Sequence, residues 1–208
     1  ELPADEEVKT VLLTLSDPNA NKTEVEILLA EGTAPFEEEK LAAYIDEGIA
    51  IKRLSNEDNW LQVTLYKNDS VDVVLGRLAA DFPDQITWLD VKDTPLTDEG
   101  LVAVGKLKHL TRLRAEKTAV TDEGLVHLEG LNYLESLNLY ATQISDSGLE
   151  HLAKLPNLRR LYAWDTQVSK EGASKFMEEA GMVEVNLGYE VNVVDSLTVE
   201  VKPIAVSN

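Results

Sequence analysis

The stretch LESLNLYATQISDSGLEHLAKL (residues 134–155) places apolar residues at Leu134, Leu137 and Leu139, then at Ile144, then at Leu149, Leu152 and Leu155. Two periods are joined in it. Leu137 and Leu139 alternate with polar neighbours, as on a strand with one buried face, while Leu149, Leu152 and Leu155 recur every third residue, as on one face of a helix. The polar run between them, with Ser145, Asp146 and Gly148, reads as a turn and a helix entry.

The same pattern recurs along the chain. Thr94, Thr118, Thr142 and Thr166 are 24 positions apart, as are Leu89, Leu113, Leu137 and Leu161, with Val185 next in that row. Ile86, Leu110, Leu134, Leu158 and Met182 form a further row, and Gly100, Gly124, Gly148 and Gly172 another. A single strand-turn-helix unit cannot bury its apolar side, but stacked units build one continuous core. The expected fold is therefore α/β, a leucine-rich repeat solenoid of 24-residue coils with a parallel sheet on its concave face. Buried hydroxyls of the threonine row are expected to bond the turn backbone in a ladder from coil to coil. Thr97, Thr121 and Ser145, each followed by Asp, read as helix caps, and Lys170 after Ser169 reads as a last coil losing the pattern.

Toward the ends the pattern loosens. WLQVTLY (60–66) reads as a strand and SVDVVLGRLAADF (70–82) as a helix; matching Val63 to Leu89 spans 26 residues, a degenerate first coil. FEEEKLAAYIDEG (36–48) reads as a helix with Leu41, Tyr44 and Ile45 on one side, before the strand IAIKRL (49–54), and together they would close the N-terminal end of the core. VKTVLLTL (8–15) is strand-like, DPNANKT (17–23) a loop, VEVNL (183–187) a final strand and LTVEVKPIAV (197–206) a terminal extended element with Pro203 near an edge. The organisation expected is an N-terminal region and cap over 1–57, a degenerate coil over 58–84, the solenoid over 85–188 and an extended tail over 189–208.

The chain has 208 residues, 44% of them apolar, and no cysteine, which removes disulfides, thiolate nucleophiles and cysteine metal or haem sites. A net charge of −19 argues against nucleic acid and anionic membranes as partners, because the long-range field repels both. No apolar run approaches the roughly 20 residues that span a bilayer, and the opening ELPADEE reads as a mature or trimmed chain. No GxSxG, Walker loop, GxGxxG or HExxH is present, so neither an enzyme nor a cofactor is expected.

TDEGLVHLEGLNYLESLNLYATQISDSGLEHLAKLPNLRRLYAWDTQVS resembles the ribonuclease-inhibitor-like repeats of planctomycete and marine Bacteroidetes proteins. More narrowly, ITWLDVKDTPLTDEGL, LTRLRAEKTAVTDEGL and LYAWDTQVSKEG are similar to the C-terminal region of bacterial membrane proteins that carry a c-type cytochrome domain, over about residues 41–188. That resemblance implies a periplasmic or cell-surface location and a larger membrane-anchored, cytochrome-containing polypeptide as a partner. This chain has no CxxCH and no membrane segment, so no electron-transfer role passes to any residue here.

Between the apolar strand positions, four columns are expected to face the open side: Thr87, Thr111, Glu135, Arg159; Trp88, Arg112, Ser136, Arg160; Asp90, Arg114, Asn138, Tyr162; and Lys92, Glu116, Tyr140, Trp164. They gather Trp88, Arg112, Arg114, Tyr140, Arg159, Arg160, Tyr162 and Trp164 into one candidate surface for a protein or peptide, since arginine and aromatic side chains dominate interface hot spots. Two readings compete with this. The aromatics could pack on each other and the arginines pair with Asp90, Glu116 and Glu135, leaving a structural appendage; or the rings could serve a carbohydrate. Outside the face, His127 and His151 are neighbours in adjacent coils but lack a third metal ligand, and DPNANKTEVE lacks the central Gly and closing Glu of a calcium loop. The acidic runs at 5–7 and 37–39 read as solvated charge.

Overall fold

A computed structural model describes residues 24–54 and 59–188, so the expectations for residues 5–7, 8–15, 17–23 and 197–206 lie outside the described residues. The chain runs α1 (Glu24–Glu31), α2 (Glu38–Asp46), β1 (Ala50–Arg53), β2 (Leu61–Thr64), α3 (Val71–Asp81) and β3 (Ile86–Asp90). It continues through α4 (Asp98–Val104), β4 (Arg112–Arg114), α5 (Asp122–Leu125) with a 3-10 turn (Val126–Leu128), β5 (Ser136–Asn138), α6 (Asp146–Leu152), β6 (Arg160–Tyr162), α7 (Lys170–Ala180) and β7 (Glu184–Asn186). The seven strands form one sheet in sequence order; β1 is antiparallel to β2 and every later pair is parallel.

Register follows the spacing. Leu89, Leu113, Leu137, Leu161 and Val185 are direct partners across β3 to β7. Val63 pairs with Leu89, as expected for a 26-residue first coil, and a register shift at Leu61/Gln62 absorbs part of the extra length. Behind the sheet, Leu96, Val120, Ile144 and Val168 are buried, as are Leu101, Leu125 and Leu149. A fully buried leucine of this kind contributes roughly 1.5–3 kcal/mol, and the rows form one cluster from Leu41 to Leu187. Two apolar residues expected in the core leave it: Met182, at the end of its row, is exposed because no further coil is stacked on it among the described residues, and Ile45 of the cap helix points outward while Leu41 and Tyr44 are buried.

The cap joins the first coil through aromatic and charged contacts. Phe36 and Tyr44 pack edge-on against Phe82, Arg77 pairs bidentately with Glu47 at 2.7 and 2.8 Å, and the Tyr44 hydroxyl donates to Asp81 at 2.7 Å. Burial, together with that bond, pushes the Tyr44 hydroxyl up to about 12, and the same bond holds Asp81 below the ordinary carboxylate range.

The threonine row stays within its own coil. Thr94, Thr118, Thr142 and Thr166 donate to the carbonyls of Val91, Ala115, Leu139 and Ala163, three residues back. These hydroxyls brace each turn, and the expected coil-to-coil ladder belongs to other residues. The Asp98 carboxylate accepts from the Thr121 backbone N–H at 2.9 Å and from its hydroxyl at 2.7 Å. Asp72 does the same for Thr97, Asp122 for Ser145 and Asp146 for Ser169. Each aspartate thus serves the helix entry of the following coil. The glycine row has the same cause: a Cβ on Gly124 would stand 2.2 Å from Asp98 Oδ1, and Gly100, Gly148 and Gly172 meet Asp72, Asp122 and Asp146 in the same way. Hydroxyl capping within the coil does occur at Thr121, Ser145 and Ser169, whereas the Thr97 side chain caps no backbone N–H. Lys170 stands where earlier coils have Asp because α7 has no following helix entry to hold among the described residues.

Candidate functional site

Strand alternation settles which side chains reach the concave face. Leu113 and Ala115 are buried on the core side, while Arg112 and Arg114, which alternate with them, are exposed on the other. Three columns result: Trp88, Arg112, Ser136, Arg160 and Glu184; Asp90, Arg114, Asn138, Tyr162 and Asn186; and, just beyond the strand ends, Lys92, Glu116, Tyr140 and Trp164. The fourth expected column is not on this face. Thr87 and Thr111 are buried between coils, where their hydroxyls lie 3.3 Å apart and Thr111 donates to the Thr87 carbonyl. Two residues separate consecutive inward leucines at this point in each coil, and the first turns sideways into the coil junction. Arg159 belongs to that row, outside the three columns, and is half-buried, with its guanidinium 4.0 Å from Met182 Sδ.

The sequence reading missed several members of the face, Glu184, Asn186 and Gln62 among them, and two more at its N-terminal side. Tyr66 is 64% exposed and continues the column of Lys92 at the same 26-residue step that relates Val63 to Leu89. Lys52 pairs with Gln62 across β1 and β2 and shares its side of the sheet. Continuing the columns through the degenerate coil finds Tyr66; Lys52 needs the antiparallel register of β1.

Five of the candidate residues fall into three groups. Arg114 is the centre of the first: it donates to Asp90 at 3.0 Å and to Glu116 through Nε and Nη2 at 3.0 and 2.7 Å, and Asn138 donates to the same Glu116 oxygen at 2.9 Å. The bond to Glu116 raises the Arg114 pKa further above its ordinary value. Glu116 Oε2 is buried and accepts no hydrogen bond from the described residues, which makes the Arg114 charge important to this cluster. In the second group the Arg112 guanidinium lies 4.4 Å from the Trp88 ring centroid. In the third, Tyr140 and Trp164 stack with centroids 4.9 Å apart and planes 26° apart. Gly188 is next in their column, and a Cβ there would stand 2.3 Å from the Trp164 ring, so Trp164 lies between Tyr140 and a glycine backbone and still has 49% of its surface exposed.

Arg112 and Arg160 form no ion pair among the described residues. Among the described residues the arginine ion pairs are those of Arg53, Arg77 and Arg114. On the helical side, His151 Nδ1 bonds Glu129 at 2.6 Å rather than His127, and Lys154 joins them at 2.7 Å. Lys154 first, and then His151, hold Glu129 below the ordinary carboxylate range. No cluster of three metal-ligating side chains occurs among the described residues, and no described helix is long and apolar enough to cross a membrane.

No family model and no curated protein matches the chain. Among solved structures, an internalin of Listeria monocytogenes aligns at 22% identity and a TM-score of 0.45 over 52% of this chain and 29% of its own. A leucine-rich repeat protein of Leptospira interrogans aligns at 15% identity and 0.37 over 61% and 35%. The leucine-rich repeat ectodomain of an Arabidopsis thaliana receptor kinase aligns at 14% identity and 0.30 over 74% and 93%. The chain spans about a third of the length of the first two. The fold assignment rests on the coils themselves: in-register leucines at a constant step, helices behind a parallel sheet and one bond set repeated at each helix entry make this chain an α/β leucine-rich repeat solenoid.

Proposed function

We propose that the chain is a non-catalytic protein- or peptide-binding module, exported to the periplasm or cell surface, that engages its partner with the concave face. The observation that carries this is the exposure of Arg160 and Trp164 on one coil of an acidic protein's sheet face, with no carboxylate partner for the arginine among the described residues. Solvent-facing arginine and tryptophan are the side chains that yield most when an interface desolvates them. The stacked rings of Tyr140 and Trp164 present edges rather than broad open faces, which suits a protein surface better than a sugar ring.

A second reading has its own support. The Arg114 cluster and the ring stack are satisfied internally, as in a structural appendage that positions a membrane-bound cytochrome-type protein without a ligand of its own. Capture from native periplasmic extract separates the two. The wild-type chain is expected to retain a specific partner that the Arg160→Ala/Trp164→Ala variant loses at equal folded concentration. Equal recoveries with both proteins favour the appendage.

A further inference from the structure

We propose that the segment bound on the concave face is an acidic, extended peptide, with the guanidiniums of Arg112 and Arg160 as its two carboxylate-binding groups. This rests on the binding reading above and adds the chemistry of the partner.

Arg112 and Arg160 stand in one column on β4 and β6 with Ser136 between them. Unlike Arg114, neither is neutralised by a described carboxylate. The Trp88 ring covers one planar face of the Arg112 guanidinium, and stacking of this kind leaves the N–H edges, the part that grips a carboxylate bidentately, unused. Gln62, Trp88, Asp90, Arg112 and Arg114 line a depression of about 230 Å³, a volume suited to a side chain. Asp90 in that depression is already engaged by Arg114, so among the described residues the charge left without an ion pair there is the positive one of Arg112.

Spacing and charge point the same way. Two strand separations place the Arg112 and Arg160 positions about 9.6 Å apart, which an extended chain covers in three residues at about 3.3 Å each. Ser136, with its short side chain, leaves the path between them low. Five cations, Lys52, Lys92, Arg112, Arg114 and Arg160, share the face with the carboxylates of Asp90, Glu116 and Glu184, whereas the whole chain has a net charge of −19. The overall field repels an acidic partner at long range, so recognition is a local property of this face.

The test is fluorescence anisotropy of the full chain with three labelled dodecapeptides that differ only at four positions: glutamate, glutamine or lysine. The glutamate peptide is expected to bind, with the glutamine peptide at least about tenfold weaker, since charge-assisted bidentate bonds are roughly twice as strong as neutral ones. Arg112→Gln and Arg160→Gln are each expected to weaken the glutamate peptide about tenfold without moving the thermal midpoint. The proposal is overturned if the lysine or glutamine peptide binds as tightly as the glutamate peptide, or if neither substitution changes the glutamate peptide's affinity. It is also overturned if no peptide binds while partner capture still depends on Arg160 and Trp164; the binding face then survives with a partner of different chemistry. Where no peptide binds and capture is indifferent to those residues, the binding reading falls as well.

Discussion

The edge where helices begin and the face where strands open to solvent are built from the same coils and follow opposite rules. At the helix entries, Asp72, Asp98, Asp122 and Asp146 make one bond set four times, each over a glycine in the next coil. Across the concave face, each column changes chemistry at every step, from Trp88 to Arg112 to Ser136 to Arg160 to Glu184. Repetition marks what every coil junction needs in order to stack. Variation marks positions that the stack leaves free.

The largest effect expected from this contrast is at the repeating edge. Gly124→Ala would place a Cβ 2.2 Å from Asp98 Oδ1 and 2.9 Å from Leu101 Cδ1, and the carboxylate cannot move without losing both bonds to Thr121. A loss of about 3 kcal/mol in urea denaturation is expected, from overpacking plus the broken bonds. Asp98→Ala combined with Gly124→Ala should cost less than the sum of the two single changes, because the clash needs both groups. Strict additivity would break the link between the two rows.

The concave face should divide under substitution. Arg114→Gln leaves Asp90 and Glu116 without their cation, Glu116 being buried, and is expected to cost about 2 kcal/mol of stability. Arg160→Gln removes an exposed charge with no ion pair among the described residues and should stay within about 0.5 kcal/mol of wild type in the same denaturation series. Equal costs would dissolve the division of the face into a satisfied cluster and a free one.

This division also explains how much was legible in the sequence. The leucine rows announce the solenoid because burial imposes the same requirement on every coil, and Trp88, Arg112, Arg114, Tyr140, Arg160, Tyr162 and Trp164 follow onto one face from alternation alone. Alternation fails where two residues separate inward leucines, which is why Thr87 and Thr111 are buried. Asp98 and its equivalents look like local caps in the sequence, since their partners lie 23 residues ahead and only the stacking of coils reveals them. Which arginine is neutralised is set by three-dimensional neighbours: Arg114 has Asp90 and Glu116 within reach, Arg112 has a tryptophan ring.

A glycine outside the repeating row should behave in the opposite way to Gly124. Gly76, exposed in α3, would gain a Cβ that meets nothing within 4 Å, so Gly76→Ala is expected to stabilise by about 0.5–1 kcal/mol through helix propensity. A destabilised Gly76→Ala would show that glycine in this chain serves something other than clearance for the aspartates.

The smallest expected effect lies where the face meets the turn. Asp93, Lys117, Ala141 and Asp165 all adopt left-handed backbone, with φ of 53°, 54°, 53° and 56°, directly before the threonine row. Their conformation aims backbone N–H groups at the next coil: Asp93 donates to Glu116, Lys117 to Tyr140 and Ala141 to Trp164, at 2.9, 2.8 and 2.9 Å. Aspartate tolerates this region through its short polar side chain, but alanine has no such compensation and bears about 1–2 kcal/mol of strain. Ala141→Gly removes that strain and gives back about 0.5–1 kcal/mol in unfolded-chain entropy, so a net gain of about 0.5 kcal/mol is expected in chemical denaturation. Because Ala141 directly follows Tyr140, the same variant reads out the face: if stability rises while the Tyr140–Trp164 stack loosens, measured as altered tryptophan fluorescence, then the strained turn is what holds the rings in register, and the repeating edge sets the geometry of the varying one.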